Sequence, residues 1–321
     1  VSGSAIVTGG AGFIGSHVVD ALLADGLGVT VIDDLSAGDR ARVDGAADLR
    51  VLDIVDMPAL SEVVDEVKPQ AIYHLAAQAS VVESVKNPQR DCQVNVAGTL
   101  NVVEAAGRCG ASVVFTSTGG ALYGDAAPRP TPETWIPAPL SPYGASKWAA
   151  EAYVRTWSLS QGIPHAVCRL GNVYGPRQSP HGEAGVVAIF AEHIRAGRAP
   201  KLYGHGSPTR DYVYVGDVVR ALLSARGSAG TYNIATGMET DVIGVWKELL
   251  TVAEGSARET GAELPEVPEP ELADLRPGEL EHSRLDPSLA ERELGWRAQV
   301  GIPEGFRLTY DALLLSELPS A

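Results

Sequence analysis

The chain has 321 residues, 45% of them hydrophobic, and 40 acidic side chains against 25 basic ones give it a formal charge of −15. That composition excludes a disordered chain, and no apolar run is long enough for a membrane-spanning helix. The acidic balance argues against bulk nucleic-acid binding, but leaves room for a small anionic ligand held by a few local cations.

In chain order, residues 5–8 form a short apolar run, followed by glycines and by helical spacing over 13–24. Residues 29–32 and 49–52 read as strands, 57–67 as a helix and 71–75 as a strand. A long helical pattern runs over 93–107, then come a strand at 113–117, a helix at 144–161 and a strand at 166–170. Strands alternating with helices predict a parallel sheet covered on both faces. Beyond about residue 176 Pro and Gly become denser; 186–196 and 216–225 read as helices, 200–203 and 231–235 as strands. The Glu- and Pro-rich stretch 254–271 reads as an exposed connection, and 285–294 as the final helix. The expected fold is α/β: a Rossmann-like, doubly wound parallel sheet with a smaller C-terminal α/β lobe that binds substrate.

Cys92, Cys109 and Cys168 are odd in number and lack metal-ligand spacing, so they read as buried thiols of a reducing compartment, which points to the cytoplasm. The start shows no basic stretch leading into an apolar one, so no signal peptide is expected in it. The seven histidines are scattered, and no metal site is expected.

The strongest local signal is Thr8-Gly9-Gly10-Ala11-Gly12-Phe13-Ile14-Gly15. Glycines 10, 12 and 15 fit G-x-G-x-x-G, and glycines 9, 12 and 15 fit a variant with wider spacing. The motif follows an apolar strand and opens a helix, the context in which small residues let backbone approach a pyrophosphate at a helix N-terminus. The next strand ends at Ile32-Asp33-Asp34. Asp33 is placed to accept both ribose hydroxyls of an adenosine and to repel a 2′-phosphate, which favours NAD over NADP. Asp53 and Ile54 end the following strand and are candidates for the adenine edge.

Ser141-Pro142-Tyr143-Gly144-Ala145-Ser146-Lys147 is the second signal. Tyr143 and Lys147 share one face of a helix. A neighbouring ammonium and a positive nicotinamide ring favour the phenolate, so the expectation is a Tyr143 pKa below the ordinary value near 10. Such a phenolate can take a proton from a substrate hydroxyl, while Lys147 holds the nicotinamide ribose.

With these motifs the chain resembles the extended short-chain dehydrogenase/reductases, and within them the nucleotide-sugar epimerases of bacterial UDP-glucose 4-epimerase type. The likeness is carried by TGGAGFIG (8–15), DDLSAG (33–38), HLAAQASV (74–81), NVAGTLN (95–101), FTSTGGALYG (115–124), SPYGASK (141–147), GNVYGPR (171–177), TRDYVYVGD (209–217) and RPGELEHS (276–283). The resemblance implies transient oxidation at C4 of a UDP-sugar by a retained NAD, with Tyr143 moving the O4 proton. It implies that residues 1–171, with about 211–236, form the NAD-binding domain, and that about 172–210 and 237–321 form the nucleotide-sugar lobe. Leu75, Ala76 and Ala77 would line the cofactor channel, with Lys86 and Asn95 as polar neighbours. The helix of Tyr143 and that near 95–107 build a dimer in the family, which implies a homodimer.

One position departs from the family. A Ser or Thr four residues before the Tyr-Gly pair is usual, and here that position, four before Tyr123-Gly124, is Gly119. The missing hydroxyl is expected from Thr118, from Ser117 or from water, with Thr118 preferred. The related 4,6-dehydratases carry an Asp-Glu pair after the hydroxyl residue; here Gly120 and Ala121 stand there, which disfavours dehydration.

For a UDP-sugar, Arg210 and Arg276 are candidates for the diphosphate, because guanidinium forks match phosphate oxygens. By the resemblance Asn172 donates to a phosphate oxygen and Glu279 accepts from the uridine ribose; Tyr203 is a candidate to stack on the base. Ser283, small where a bulky residue restricts the sugar, extends the expected substrates from UDP-glucose and UDP-galactose to their N-acetylated counterparts. UDP-glucuronate, a dTDP-hexose, and a non-catalytic NAD-binding module are the alternatives.

Overall fold

The computed structural model describes residues 3–180, 185–275 and 280–315. The first half alternates strand and helix: β1 (Ser4–Thr8), α1 (Phe13–Ala24), β2 (Gly28–Asp33), β3 (Asp48–Val51), α2 (Met57–Val67) and β4 (Ala71–His74). Two short helices, α3 (Val81–Lys86) and α4 (Pro88–Cys92), lead through a π-helical turn over Gln93–Gly98 into α5 (Thr99–Cys109). β5 (Ser112–Thr118), α6 (Pro142–Gln161) and β6 (His165–Leu170) follow. The remainder comprises β7 (Asn172–Tyr174), α7 (Val186–Arg195), β8 (Lys201–Tyr203), β9 (Thr209–Arg210), β10 (Tyr212–Tyr214), α8 (Val215–Ser224), β11 (Thr231–Ile234), β12 (Thr240–Asp241), α9 (Val242–Thr260), β13 (Glu271–Ala273), α10 (Ser288–Leu294) and α11 (Ile302–Leu315).

Seven strands form one parallel sheet in the order β11-β6-β5-β4-β1-β2-β3. Its central strands are buried on both faces, which is why they read as continuous Val/Ile/Ala runs rather than alternating ones. One face packs Val18, Val19 and Leu22 of α1 and Val218, Leu222 of α8; the other packs Leu60 and Val64 of α2, Val102 and Val103 of α5, and Ala150 and Val154 of α6. A separate core joins α7, α9 and α11 through Phe190, Trp246, Leu249, Phe306 and Tyr310. Among the described residues no helix is long and apolar enough to cross a membrane.

Several element expectations are corrected. The expected connection 254–271 begins as the last two turns of α9, whose buried residues Val245, Trp246, Leu249, Ala253 and Ser256 follow helical spacing; Glu and Gly on the outer side concealed it. The expected final helix starts only at Ser288 and is followed by α11. The helical pattern 93–107 is entered through α3 and α4, each opened by a side-chain cap, Ser80 and Asn87. Cys168 is buried, but Cys92 is exposed; all three thiols are free.

Candidate active site

The C-terminal ends of β1, β2, β4 and β5 meet at one edge of the sheet, the place where a doubly wound fold opens a crevice. At the β1 end, Gly9 adopts φ +71°, and a Cβ there would lie 2.6 Å from the Ala76 nitrogen. A Cβ on Gly15 would lie 2.1 Å from the Gly9 carbonyl oxygen. Only glycine permits that turn. Gly12 caps α1 without a side-chain hydrogen bond, so the first N–H groups of the helix, at Phe13, Ile14 and Gly15, are left for an anion.

Asp33 ends β2 under this turn: one carboxylate oxygen accepts from Ala11 N–H (3.0 Å), the other from Leu35 N–H (2.9 Å). Burial raises its carboxyl above the ordinary range, against the pull of those two N–H groups. Asp53 is drawn to Arg90 (2.9 Å) and accepts from Val55 N–H. Partial burial would lift its carboxyl, but Arg90 and that N–H outweigh it and hold it low. Ile54 is buried, with its carbonyl oxygen bonded by Asn101. The donor set and the glycine cradle fit a dinucleotide with a free ribose diol.

Leu75, Ala76 and Ala77 continue β4 across the Gly9 turn, tied by Leu75 N–H to the Thr8 carbonyl (3.0 Å). Behind them runs a buried chain the sequence reading did not anticipate. Thr8 Oγ1 bonds His74 Nδ1 (2.7 Å), His74 Nε2 bonds Thr99 Oγ1 (2.9 Å), and Thr99 Oγ1 donates to the Asn95 carbonyl (2.6 Å). Because Thr99 donates onward, His74 is the donor at Nε2. Burial and the charge of Lys147 push its pKa down to about 3. Asn95 lies in the π-helical turn and is buried, accepting from Gln78 N–H and donating to Ser146 Oγ (3.1 Å). Lys86 is exposed at the end of α3, 3.8 Å from Glu83, and among the described residues it makes no bond to this cradle.

Tyr143 and Lys147 sit in the first turns of α6. The helix starts where it does because Ser141 Oγ accepts from Gly144 N–H and Pro142 presets the first helical residue. Gly144 lets the helix end close on the loop after β5: a Cβ there would lie 2.3 Å from the Ala121 carbonyl oxygen. This contact brings Tyr143 up to Thr118, whose side chain lies close enough to pull on its hydroxyl. Lys147 is buried beside Phe115, its ammonium donating to the Thr116 carbonyl (2.9 Å).

The electrostatics correct the expectation for Tyr143. Burial, then the Asp91 carboxylate, push its pKa up to about 12, against the lowering pull of Thr118. Burial lowers Lys147 to about 8, with Asp91 and Glu151 opposing. Without a bound positive ring the tyrosine therefore keeps its proton at neutral pH.

Of the two candidate hydroxyls, Thr118 faces Tyr143 and Ser117 faces away. Ser117 Oγ donates to Glu151 (2.6 Å) inside the core. Gly119 is explained by a distant residue: a Cβ there would lie 2.3 Å from Leu285 Cδ1, so the buried Leu285 fills the space of the usual hydroxyl side chain.

The second lobe brings other candidates to this edge. A pocket is lined by Gly119, Gly120, Arg129, His282, Ser283 and Leu285, so Ser283 lies beside the loop after β5. Its N–H donates to the Thr209 carbonyl, next to Arg210, whose guanidinium donates to the same carbonyl (2.9 Å) and to Glu281. Asn172 opens β7, and its amide oxygen would be 3.2 Å from a Cβ on Gly120. Tyr203 ends β8 half-buried, with the Lys201 ammonium 5.9 Å from its ring centre. Arg276 and Glu279 lie outside the described residues.

Comparison with known proteins fits this geometry. The family model described as GDP-mannose 4,6 dehydratase matches residues 6–309. A UDP-glucose 4-epimerase from Mycolicibacterium smegmatis is 46% identical over 315 residues, covering 95% of this chain and 97% of the relative. The chain belongs to the extended short-chain dehydrogenase/reductases, as a nucleotide-sugar epimerase. Within this family, the Thermotoga maritima UDP-glucose 4-epimerase solved with UDP-glucose superposes with a TM-score of 0.91 at 42% identity, covering 98% of this chain and 99% of the other. The Thermus thermophilus UDP-glucose 4-epimerase solved with NAD gives 0.86 at 43% identity, with 97% and 99% covered. The dehydratase name of the family model finds no acid pair here, since Gly120 and Ala121 follow Gly119.

Proposed function

We propose that the protein is an NAD-dependent 4-epimerase that interconverts UDP-glucose and UDP-galactose. The observation that carries this reading is the approach of Tyr143 to Thr118 at the end of β5, with Lys147 one helical turn further along α6 and donating to the Thr116 carbonyl. The glycine turn and the α1 N-terminus would hold the pyrophosphate, Asp33 the adenosine ribose, Asp53 and Ile54 the adenine edge, and Lys147 the nicotinamide ribose. When bound, NAD supplies the hydride acceptor and donor for C4. Tyr143 takes the O4 proton and returns it, and Thr118 relays or steadies that proton. A positive ring beside Tyr143 favours the phenolate that burial otherwise opposes, so the base is activated only in the loaded pocket. Arg210, with Arg276, would neutralise the diphosphate, Asn172 would donate to it, Glu279 would accept from the uridine ribose, and Tyr203 would stack on the base. The cofactor domain would be 1–171 with about 211–236, and the remainder the sugar lobe.

The first test is incubation of the purified protein with UDP-galactose, without added NAD, and chromatographic separation of the products. An equilibrium mixture with UDP-glucose supports the reading; no conversion even with added NAD overturns it. Thr118→Ala should lower kcat about tenfold to a hundredfold at an unchanged melting temperature. Ser117→Ala should instead cost about 1 kcal/mol of stability and leave kcat within a few-fold. The reverse pattern would show that the hydroxyls are misassigned.

The place of Ser283 beside Gly119 and Gly120 supports a wider sugar range. UDP-GlcNAc should be a substrate, and Ser283→Tyr should reduce its turnover at least about tenfold while UDP-galactose turnover changes by a few-fold. Equal effects on both sugars would sink this assignment. We also propose a cytoplasmic homodimer, in keeping with free thiols and with Trp148 and Leu159, which lie exposed on one face of α6. Sedimentation should then give twice the mass of the 33.6 kDa chain.

A further inference from the structure

Among the described residues, Asp33, Asp91, Glu151, Asp211 and Asp217 are the buried acids. Four have matched oxygens. Asp33 is held by Ala11 and Leu35 N–H, and Glu151 by Arg169 and Ser117. Asp211 is held by N–H groups of Thr236, Gly237 and Leu285, and Asp217 by Gln299 and Val300 N–H with Arg220. Asp91 differs. Its Oδ1 accepts from Gln78 (2.9 Å) and Asn95 (3.2 Å), while Oδ2 is buried and accepts no hydrogen bond.

A buried carboxylate in that state needs a cation nearby. Among the described residues the buried cations are Lys147 and Arg169, and Arg169 is engaged by both oxygens of Glu151. Lys147 remains. Its ammonium has three donors, and the hydrogen bond it makes, to the Thr116 carbonyl, uses one. No ion pair of 4 Å or less joins it to Asp91, so its other donors stay free for ligand hydroxyls. The two side chains are linked from behind: Asn95 Nδ2 bonds both Asp91 and Ser146, and Ser146 Oγ donates to the Tyr143 carbonyl (3.0 Å).

We propose that Asp91 is a positioning residue of the catalytic pair: its carboxylate keeps Lys147 charged without contacting it, and anchors Asn95 and Ser146 beneath Tyr143. This rests on Tyr143 and Lys147 being the catalytic pair. The groups facing Lys147 are Asp91 from α4, Glu151 from its own helix and neutral His74 from β4; Thr118 and Asp91 face Tyr143. Removing the Asp91 charge therefore disfavours the ammonium, and the Lys147 midpoint falls.

The chain has five lysines, so each is resolvable by NMR with ¹³C at the lysine ε-carbon, and Lys147→Arg assigns the signal. In Asp91→Asn the Lys147 midpoint should fall by about one pH unit, roughly a tenfold rise in its deprotonation constant, with the other four lysines unmoved. The alkaline limb of UDP-galactose turnover should move down in pH with it, and Asp91→Glu should restore both. An unmoved Lys147 midpoint in Asp91→Asn overturns the proposal, as does a shift shared by all lysines. If Asp91→Asn does not fold, Gln78→Ala, which keeps the Asp91 charge, should leave the Lys147 midpoint in place; a midpoint about one pH unit lower there overturns the charge role. Absence of turnover by the wild type speaks only against the epimerase reading, because the titration needs no substrate.

Discussion

Tyr143→Phe is expected to lower UDP-galactose turnover about 10³-fold while the protein keeps its fold and its cofactor site. The ring stays and only the hydroxyl is lost. Thr118 Oγ1 still accepts from Ala121 N–H (3.2 Å), so the deletion strands no buried partner, and a stability change below about 1 kcal/mol follows. The glycine turn and Asp33 lie on other elements and are untouched. The measurement is kcat by product analysis, with the melting temperature and cofactor retention as controls. Activity within tenfold of wild type would mean that another group moves the O4 proton. The pH dependence follows from the same environment. Burial holds the Tyr143 pKa up at about 12, and Lys147 carries its charge only below about 8. Turnover should thus rise with pH while the tyrosine becomes easier to deprotonate, then level or fall as Lys147 loses its proton. Asp91 acts on both groups in the same direction, raising each, and so favours the charged lysine at the expense of the phenolate.

The parts of this site that were readable from the sequence are those encoded locally. The glycine turn needs residues a few positions apart, and Tyr143 with Lys147 needs one helical turn. The preference for Thr118 over Ser117 had no local signal to decide it, although strand periodicity requires that neighbours face opposite sides. The sheet order decides which side is which: with β6 beside β5 and α6 packed over both, Ser117 meets Glu151 and Thr118 meets Tyr143. Gly119 was visible as a departure, but its cause is Leu285, a residue brought back by the second lobe. Asp91 carries no motif that marks it in the sequence; its spacing of one turn from Asn95 is the available hint, and only packing shows it to be buried. The same holds for α9, where a Glu- and Gly-containing outer face outweighed a regular buried stripe in composition.

The largest effect on stability is expected at Arg169, whose partner Glu151 also accepts from Ser117. Its guanidinium binds both oxygens of Glu151 (2.9 and 2.7 Å), the Tyr123 hydroxyl (2.8 Å) and the Glu133 carbonyl (3.1 Å), and Tyr123 passes the network to Asn233 (2.9 Å). Both members of the ion pair are buried, at 2% and 0% exposure, so solvent cannot replace a lost partner. Arg169→Met fills much of the volume but leaves Glu151 charged in a closed space, with Ser117 as its remaining neutral donor. The expected cost is about 3–5 kcal/mol. At about 2 °C per kcal/mol for a chain of this size, thermal melting should fall by roughly 6–10 °C. Adding Glu151→Gln to Arg169→Met removes the stranded charge and should recover a large part of the loss, whereas Glu151→Gln alone leaves Arg169 the unpaired ion. A double variant no more stable than Arg169→Met would show that packing, not the buried charge, sets the cost. Because Glu151 also helps keep Lys147 charged, the double variant should regain stability without regaining the full alkaline range of turnover, which separates the support of the fold from the tuning of the site.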